Sequence, residues 1–233
     1  MQERHSRTAL LLGEDAIARL NASHVAVFGL GGVGSYLVEA LARAGVGELT
    51  LIDSDAYTES NLNRQLYATT ATIGQKKTDA ARERVRLIDP AITVHTVDAF
   101  VLPETVPTLP LRGVSYFADA IDTVSAKIAL AVYAKESGIP MISAMGAGNK
   151  LDPTAFRVTT IDKTKVCPLS RALRTKLKAH GITDLKVVYS EEEPVKTALF
   201  DEASGKPIPA SCSFVPSVVG LIMAGEIIKD LTK

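Results

Sequence analysis

Two hydrophobic periods alternate along the first two thirds of the chain. Short apolar runs typical of buried parallel strands occur five times, at 25–29, 49–53, 92–97, 114–122 and 139–145. Stretches with apolar residues at helical spacing lie between most of them, at 35–45, 76–90 and 125–138. This alternation predicts an α/β fold with a doubly wound, mostly parallel sheet and helices on both of its faces.

The pattern changes after Gly146. It predicts two further strands, at 156–161 and 185–190, and two further helices, at 168–181 and 214–231. The segment 191–211 is polar and contains several prolines, and so long a loop in a compact domain is usually functional or mobile. We therefore predict a core over 1–150 and an appended smaller α/β lobe over 151–233, with a crossover loop and a C-terminal helix.

Composition narrows the class of protein only a little. The chain has 233 residues, of which 46% are hydrophobic, and this is enough for a sizeable core. The 26 Lys and Arg residues balance the 26 Asp and Glu residues, which argues against bulk attraction to nucleic acid but allows a local basic patch. Cys167 and Cys212 form no CxxC pair, so neither a zinc ribbon nor a disulfide framework is indicated.

No secretory signal is apparent in the polar first residues, MQERHSRTA. The longest apolar stretch, 214–225, contains a proline and two glycines and is short for a membrane span. A helix of the protein core is the favoured interpretation, and a helix docked on a membrane surface is the alternative. We expect a cytoplasmic location without stable membrane insertion.

The stretch HVAVFGLGGVGS at 24–35 joins the first predicted strand to the first predicted helix. Its glycines at 29, 31 and 34 have the GxGxxG spacing of a Rossmann-like phosphate-binding turn, and Gly32 lies within it. In that turn Gly29 permits the bend, Gly31 lets the backbone approach phosphate, and Gly34 lets the helix pack on the strand. Asp53 ends the second strand at the distance expected of a ribose-binding carboxylate. A glycine-rich turn without a ligand is the alternative.

A dinucleotide and ATP fit this turn equally well, but the segment after the second strand favours ATP. It is rich in polar and basic side chains that could reach the same ligand, namely Asp55, Asn61, Arg64, Gln65 and Lys77. Arg64 and Lys77 would offset the charge of a triphosphate and the charge that develops at its α-phosphorus. Solvated side chains are the alternative for each of them.

Two carboxylates, Asp119 and Asp122, form a DxxD motif at the end of the fourth strand. In a parallel sheet this end lies at the same edge as the glycine turn. Because Mg²⁺ is commonly held by one or two carboxylates with phosphate oxygens and water, Asp122 is a candidate metal ligand. Its alternative role is to cap the helix that begins near Ser125.

Five motifs in this order, GLGGVGS, LIDSD, NLNRQ, IGQKK and DAID, resemble the ubiquitin-activating-enzyme-like superfamily. Its bacterial members activate a carboxylate with ATP by forming an acyl-adenylate. The resemblance implies that the glycines contact the phosphates, that Asp53 holds the ribose and that Asp122 binds Mg²⁺. It places Asn61, Arg64, Gln65 and Lys77 around the triphosphate. It also implies a homodimer in which Arg7 reaches the phosphates of the partner subunit.

The second half of the chain separates the branches of that superfamily. Sulfur-carrier adenylyltransferases usually carry two CxxC pairs for zinc, and this chain has none. TALLLGEDAIARL, the run from GAGNKLDPTAF to SRALRTKLK, VVYSEEEP and ASCSFVPSVVG resemble the tRNA threonylcarbamoyladenosine dehydratase branch. This implies ATP-dependent ring closure of a threonylcarbamoyl group on tRNA by adenylation of its carboxylate. A sulfur-carrier adenylyltransferase, an NAD-dependent dehydrogenase and a non-catalytic nucleotide-binding module are the alternatives.

A tRNA substrate requires a cationic surface. Arg171, Arg174 and Lys178 share one face of the helix predicted at 168–181, and we expect this face to contact tRNA phosphates. A solvated amphipathic helix is the alternative. Ring closure within the substrate needs no enzyme thiol, so Cys167 and Cys212 are expected to serve packing, with a redox role for Cys212 as the alternative. A monovalent cation and a sulfur-relay partner protein are left open.

Overall fold

A seven-stranded sheet forms the centre of the computed structural model, which describes residues 3–197, 200 and 208–233. The strands, in chain order, are β1 (His24–Phe28), β2 (Glu48–Ile52), β3 (Thr93–Val97), β4 (Tyr116–Asp119), β5 (Met141–Ala144), β6 (Phe156–Thr160) and β7 (Lys186–Ser190). They lie in the order β3-β2-β1-β4-β5-β7-β6. Every neighbouring pair is parallel except β6 and β7, which are antiparallel at the edge.

Helices cover both faces of this sheet. In chain order they are α1 (Ser6–Leu12), α2 (Glu14–Asn21), α3 (Gly34–Ala44), α4 (Lys77–Ile88), α5 (Val124–Ser137), α6 (Pro168–Ala179) and α7 (Pro216–Leu231). Side chains of α2, α3, α4 and α7 pack against Val25 and Val27 on one face. Side chains of α5 and α6 pack against Ala26 and Phe28 on the other face. Successive residues of β1 therefore serve two separate hydrophobic cores, as expected of a strand covered on both sides.

The structure confirms the predicted fold class and each predicted strand and helix, with ends that shift by a few residues. The strand predicted at 114–122 differs most from the structure in length, because β4 ends at Asp119 and the chain then enters the loop before α5. The sequence analysis did not predict α1 and α2. Within α1, Leu10 and Leu11 are exposed, so this helix lacks the apolar face by which a buried helix is recognised.

The C-terminal part of the chain continues the same sheet. β7 pairs with β5, and β6 pairs with β7, so the segments 1–150 and 151–233 share one layer of strands. The division at residue 150 stays a prediction. Part of the predicted loop at 191–211 lies outside the described residues, namely 198–199 and 201–207.

α7 packs along α3 at very short distance. A Cβ atom added to Gly220 would lie 2.3 Å from the carbonyl oxygen of Val33 and 2.9 Å from the amide nitrogen of Leu37. Val219, Met223 and Ile227 of α7 are buried, as expected of a core helix. In the described part of the chain, no helix has both the length and the apolar character that crossing a membrane requires.

We predict that Gly220→Ala lowers the free energy of unfolding by about 1–3 kcal/mol, because the added methyl group must push α7 away from α3. Urea denaturation measures this change. Gly225→Ala is the matched control in the same helix, since a Cβ atom there meets nothing within 4 Å. The control should stabilise the protein by up to about 1 kcal/mol through helix propensity. Equal effects of the two substitutions would contradict the close packing of α7 on α3.

Candidate nucleotide-binding site

A cavity of about 1120 Å³ opens at the carboxyl ends of β1, β2, β4 and β5. This edge of an open parallel sheet is where ligands bind, next to the point at which the strand order reverses. Its walls are formed by the glycine turn after β1, the loops after β2, β3, β4 and β5, the starts of α6 and α7, and residues of the crossover loop. The volume slightly exceeds the range of about 300–1,000 Å³ that is typical of small-molecule sites.

The glycine turn leaves β1 at Gly29, whose φ of 88° belongs to the left-handed region. A Cβ atom on Gly29 would lie 2.9 Å from the carbonyl oxygen of Ala120, and one on Gly34 would lie 1.8 Å from the carbonyl oxygen of Gly29. Gly31 and Gly32 line the cavity together with Gly29. Gly29 and Gly34 therefore shape the turn, whereas Gly31 and Gly32 leave its backbone accessible to a ligand.

Asp53 braces this turn from the end of β2. Its Oδ2 accepts a hydrogen bond from the amide of Leu30 at 2.7 Å, and its Oδ1 accepts one from the amide of Asp55 at 2.9 Å. A carboxylate has about four acceptor sites, so capacity remains for a ligand hydroxyl in the cavity. Burial first, and the nearby Asp53 charge second, raise the pKa of the Tyr57 phenol far above its usual value, so this phenol stays neutral.

Lys77 begins α4 and is almost fully buried at the wall of the cavity. Its ammonium lies 2.7 Å from Oδ2 of Asp55 and 3.9 Å from Oδ1 of Asp53. The side chain of Asp55 is 62% exposed, so this partner is on the solvent side of the buried ammonium. An anionic ligand in the cavity could therefore take the place of Asp55 as the counter-ion of Lys77.

Three polar side chains of the loop after β2 also line the cavity. Asn61 accepts a hydrogen bond from the amide of Thr58 at 3.1 Å, and Arg64 donates to the carbonyl oxygen of Ser60 at 3.0 Å. Gln65 is buried, and its Oε1 has no hydrogen-bond partner within the described residues. Because buried polar atoms are almost always paired in native proteins, this orphaned oxygen indicates a place for a ligand or ordered water.

The two aspartates of the DxxD motif have different surroundings. Asp119 is fully buried, where its Oδ2 lies 2.9 Å from the ammonium of Lys127 and accepts a 2.6 Å hydrogen bond from Ser143. Asp122 is exposed and lines the cavity. The cap position of α5 is taken by Thr123, so the alternative role of Asp122 as the helix cap is wrong. Only Asp122 of this pair is in a position to meet a ligand.

The other predicted site residues lie outside the cavity lining. Arg7 is exposed on α1, and Arg171 and Lys178 are exposed on α6. Arg174 is half-buried and donates hydrogen bonds to the carbonyl oxygen and the hydroxyl of Thr164, at 2.6 and 2.9 Å. The guanidinium of Arg174 therefore ties α6 to the preceding loop, which the spacing of charges along the helix did not reveal.

Sequence analysis missed several contributors to the cavity wall. Lys150 is buried there after β5, and Cys167 is buried there at the start of α6. Asn149 holds the crossover loop on this wall, because its Oδ1 accepts a 2.6 Å hydrogen bond from Ala210 and its carbonyl accepts one from Val195 at 2.8 Å. The GAGNK motif after the fifth predicted strand was the available signal, since it lies at the same sheet edge as the glycine turn.

Comparison with known proteins places this geometry in a family. The profile of the ThiF family matches residues 4–233. A Bacillus subtilis tRNA threonylcarbamoyladenosine dehydratase is 41% identical over 244 aligned residues, which cover 100% of this chain and 96% of that relative. The crystal structure of an Escherichia coli tRNA N6-threonylcarbamoyladenosine dehydratase in complex with ATP superposes with a TM-score of 0.90 at 35% identity, covering 98% of this chain and 93% of that one.

A relative that represents the sulfur-carrier alternative matches a smaller part of this chain. A Salmonella typhimurium molybdopterin-synthase adenylyltransferase is 37% identical over 142 residues, which cover 60% of this chain and 57% of that relative. The dehydratases thus match the C-terminal part of the chain as well as the glycine turn, whereas this adenylyltransferase matches a shorter region. The fold, the cavity and the match over residues 4–233 agree, and the chain belongs to the ThiF family.

Proposed function

We propose that this protein uses ATP to dehydrate N6-threonylcarbamoyladenosine in tRNA. The threonyl carboxylate is adenylated, pyrophosphate leaves, and ring closure then releases AMP. Similarity to a dehydratase over the full length of the chain is the observation that carries the proposal. The cavity supports it, because a glycine turn and the cations of Arg64 and Lys77 meet there as a triphosphate requires.

The chemistry explains why ATP is needed. A carboxylate is a poor electrophile, because its charge repels nucleophiles and oxide is a poor leaving group. One carboxylate oxygen attacks the α-phosphorus, and the bond from that phosphorus to pyrophosphate breaks. An atom of the neighbouring carbamoyl group then attacks the activated carbonyl and expels AMP, so the net loss is one water. This second step is intramolecular, and proximity supplies much of its rate.

The residues around the cavity have different roles in this reaction. Exposed backbone of the glycine turn at Gly31 and Gly32 suits phosphate binding, and Asp53 suits the ribose hydroxyls. Arg64 and Lys77 offset the charge on the triphosphate and on departing pyrophosphate, while Asn61 and Gln65 orient it. A homodimer that supplies Arg7 to this charge from a partner subunit stays part of the proposal.

Asp122 fits a magnesium ion as its single protein ligand. Its carboxylate is exposed on the cavity wall. Mg²⁺ keeps several waters and is usually bound by one or two carboxylates with phosphate oxygens, so one carboxylate is sufficient. Bound there, the ion would neutralise charge on the leaving pyrophosphate. A monovalent cation, a sulfur-relay partner and a cytoplasmic location stay predictions.

Mass analysis of tRNA nucleosides tests the proposed function directly. Incubation of threonylcarbamoyladenosine-containing tRNA with the protein, ATP and Mg²⁺ should remove the mass of one water from that nucleoside and produce AMP and pyrophosphate. Lys77→Met should slow the conversion by at least about 100-fold, because the triphosphate loses a preorganised charge.

Lys76→Met is the matched control for this experiment. Lys76 is the adjacent lysine, but its ammonium contacts Asp98 at the protein surface and does not line the cavity. The control should convert tRNA within about threefold of wild type, since exposed ion pairs contribute little. A wild-type protein that leaves the nucleoside mass unchanged would refute the function, and equal rates for both variants would refute the role of Lys77.

We further propose that the exposed cations Arg171 and Lys178 of α6 contact tRNA phosphates. α6 begins at the cavity wall with Cys167 and Pro168 and extends away from it for 12 residues, or about 18 Å. Phosphates on either side of a nucleotide bound in the cavity therefore lie within reach of this helix. Arg174 is left out of this proposal because Nη1 of its guanidinium already donates to Thr164.

The double substitution of Arg171 and Lys178 by alanine should weaken tRNA binding and leave ATP affinity unchanged. Two lost phosphate contacts should also reduce the slope of log K against log salt concentration by about 2, as measured by filter binding across a salt series. Arg174→Ala should instead lower the thermal midpoint. An unchanged salt slope in the double variant would exclude this face from the tRNA interface.

A further inference from the structure

Lys150 is a buried cation that the functions assigned so far do not use. The residue is 4% exposed, and its ammonium donates a 2.5 Å hydrogen bond to the backbone carbonyl of Glu192. Within the described residues, no carboxylate lies within ion-pairing distance of this ammonium. The ammonium has three donors, so two remain after this contact. A buried charge is costly without an opposite charge, and Lys150 lines the cavity where an anionic substrate would bind.

The position of Lys150 separates it from the triphosphate residues. Arg64 lies in the loop after β2 and Lys77 begins α4, and both reach the cavity from the β1 and β2 side. Lys150 follows β5 and reaches it from the opposite side, beyond the point where the strand order reverses between β1 and β4. In the described lining of that side, Lys150 is the one cationic side chain, and the start of α6 and the crossover loop line the same cavity.

Adenylation creates a need for a cation on that side. The substrate carboxylate must approach the α-phosphorus of a triphosphate, and the two anions repel each other in a partly desolvated cavity. A cation beside the incoming carboxylate offsets this repulsion and orients its oxygen for attack. On the basis of the proposed function, we propose that the ammonium of Lys150 binds the threonyl carboxylate that is adenylated.

The contacts around Lys150 leave its ammonium available for the substrate carboxylate. Glu192 accepts hydrogen bonds through both carboxylate oxygens, from the amides of Leu151 at 2.8 Å and Asp152 at 3.0 Å. The segment after Lys150 and the start of the crossover loop are therefore joined by three contacts, one of which is the lysine itself. The carboxylate of Glu192 is committed to backbone amides, which leaves the ammonium available for a carboxylate from the substrate.

A binding cycle tests this assignment. Affinities for tRNA with threonylcarbamoyladenosine and for the same tRNA with unmodified adenosine are measured by filter binding for wild type, Lys150→Met and Lys150→Arg. Wild type should prefer the modified tRNA, and Lys150→Met should lose roughly 10- to 100-fold of affinity for the modified tRNA alone. Lys150→Arg should restore part of the preference. ATP affinity, measured by calorimetry, should stay within about twofold of wild type in Lys150→Met.

Two control variants separate this role from other effects. Lys178→Met removes a cation from α6 and should weaken binding of both tRNAs by equal factors. Glu192→Gln disturbs the contacts of the crossover loop without removing the ammonium, and it should keep most of the preference for modified tRNA.

Four outcomes would overturn the inference. The first is equal weakening of both tRNAs by Lys150→Met, and the second is a loss of ATP affinity in Lys150→Met well beyond twofold. The third is that Glu192→Gln loses the preference for modified tRNA as fully as Lys150→Met does, and the fourth is a wild-type protein without any preference. Conversion of the nucleoside by the wild type is a separate readout, and only failure of that conversion refutes the proposed function itself.

Discussion

Close contact between backbone segments shapes the glycine turn, and the rest of the site depends on it. Gly34 approaches the carbonyl of Gly29 from α3, and Gly220 of α7 approaches the carbonyl of Val33 from the other side. Both contacts are too close for a Cβ atom, so a side chain at either glycine would displace the neighbouring backbone. Asp53 adds a hydrogen bond to Leu30 within the same turn. The C-terminal helix therefore supports the glycine turn although it is more than 180 residues away in sequence.

Charge in the cavity is arranged in two groups on opposite sides of the turn. On one side Lys77 is buried against Asp55, whose exposed carboxylate can be replaced by phosphate. On the other side Lys150 is buried against a backbone carbonyl. The buried pair of Asp119 and Lys127 lies between β4 and α5, and it neutralises itself inside the protein. Cations on both sides of a cavity can offset the repulsion between two anionic substrates.

Most of the fold and many residues that line the cavity on the side of the glycine turn could be predicted from the sequence. Strand runs and glycine spacing are local signals, so they identified β1 to β5, the turn and the polar loop after β2. The roles of Asp119 and Arg174 could not be predicted in this way. The contact between Lys127 and Asp119 forms only once α5 packs on β4, and the contact between Arg174 and Thr164 forms only once the loop before α6 lies beside that helix. Lys150 was missed for a similar reason, since only the pairing of β5 with β7 brings the crossover loop onto it.

The central claim is that the substrate carboxylate is joined to adenylate, and the fate of its oxygen tests this most directly. The threonyl carboxylate of the modified tRNA is labelled with oxygen-18, and the products are analysed by mass spectrometry after turnover with ATP. Attack on the α-phosphorus predicts that one labelled oxygen per turnover appears in AMP, with unlabelled pyrophosphate. Labelled orthophosphate together with ADP would show attack at the terminal phosphorus and would contradict the account.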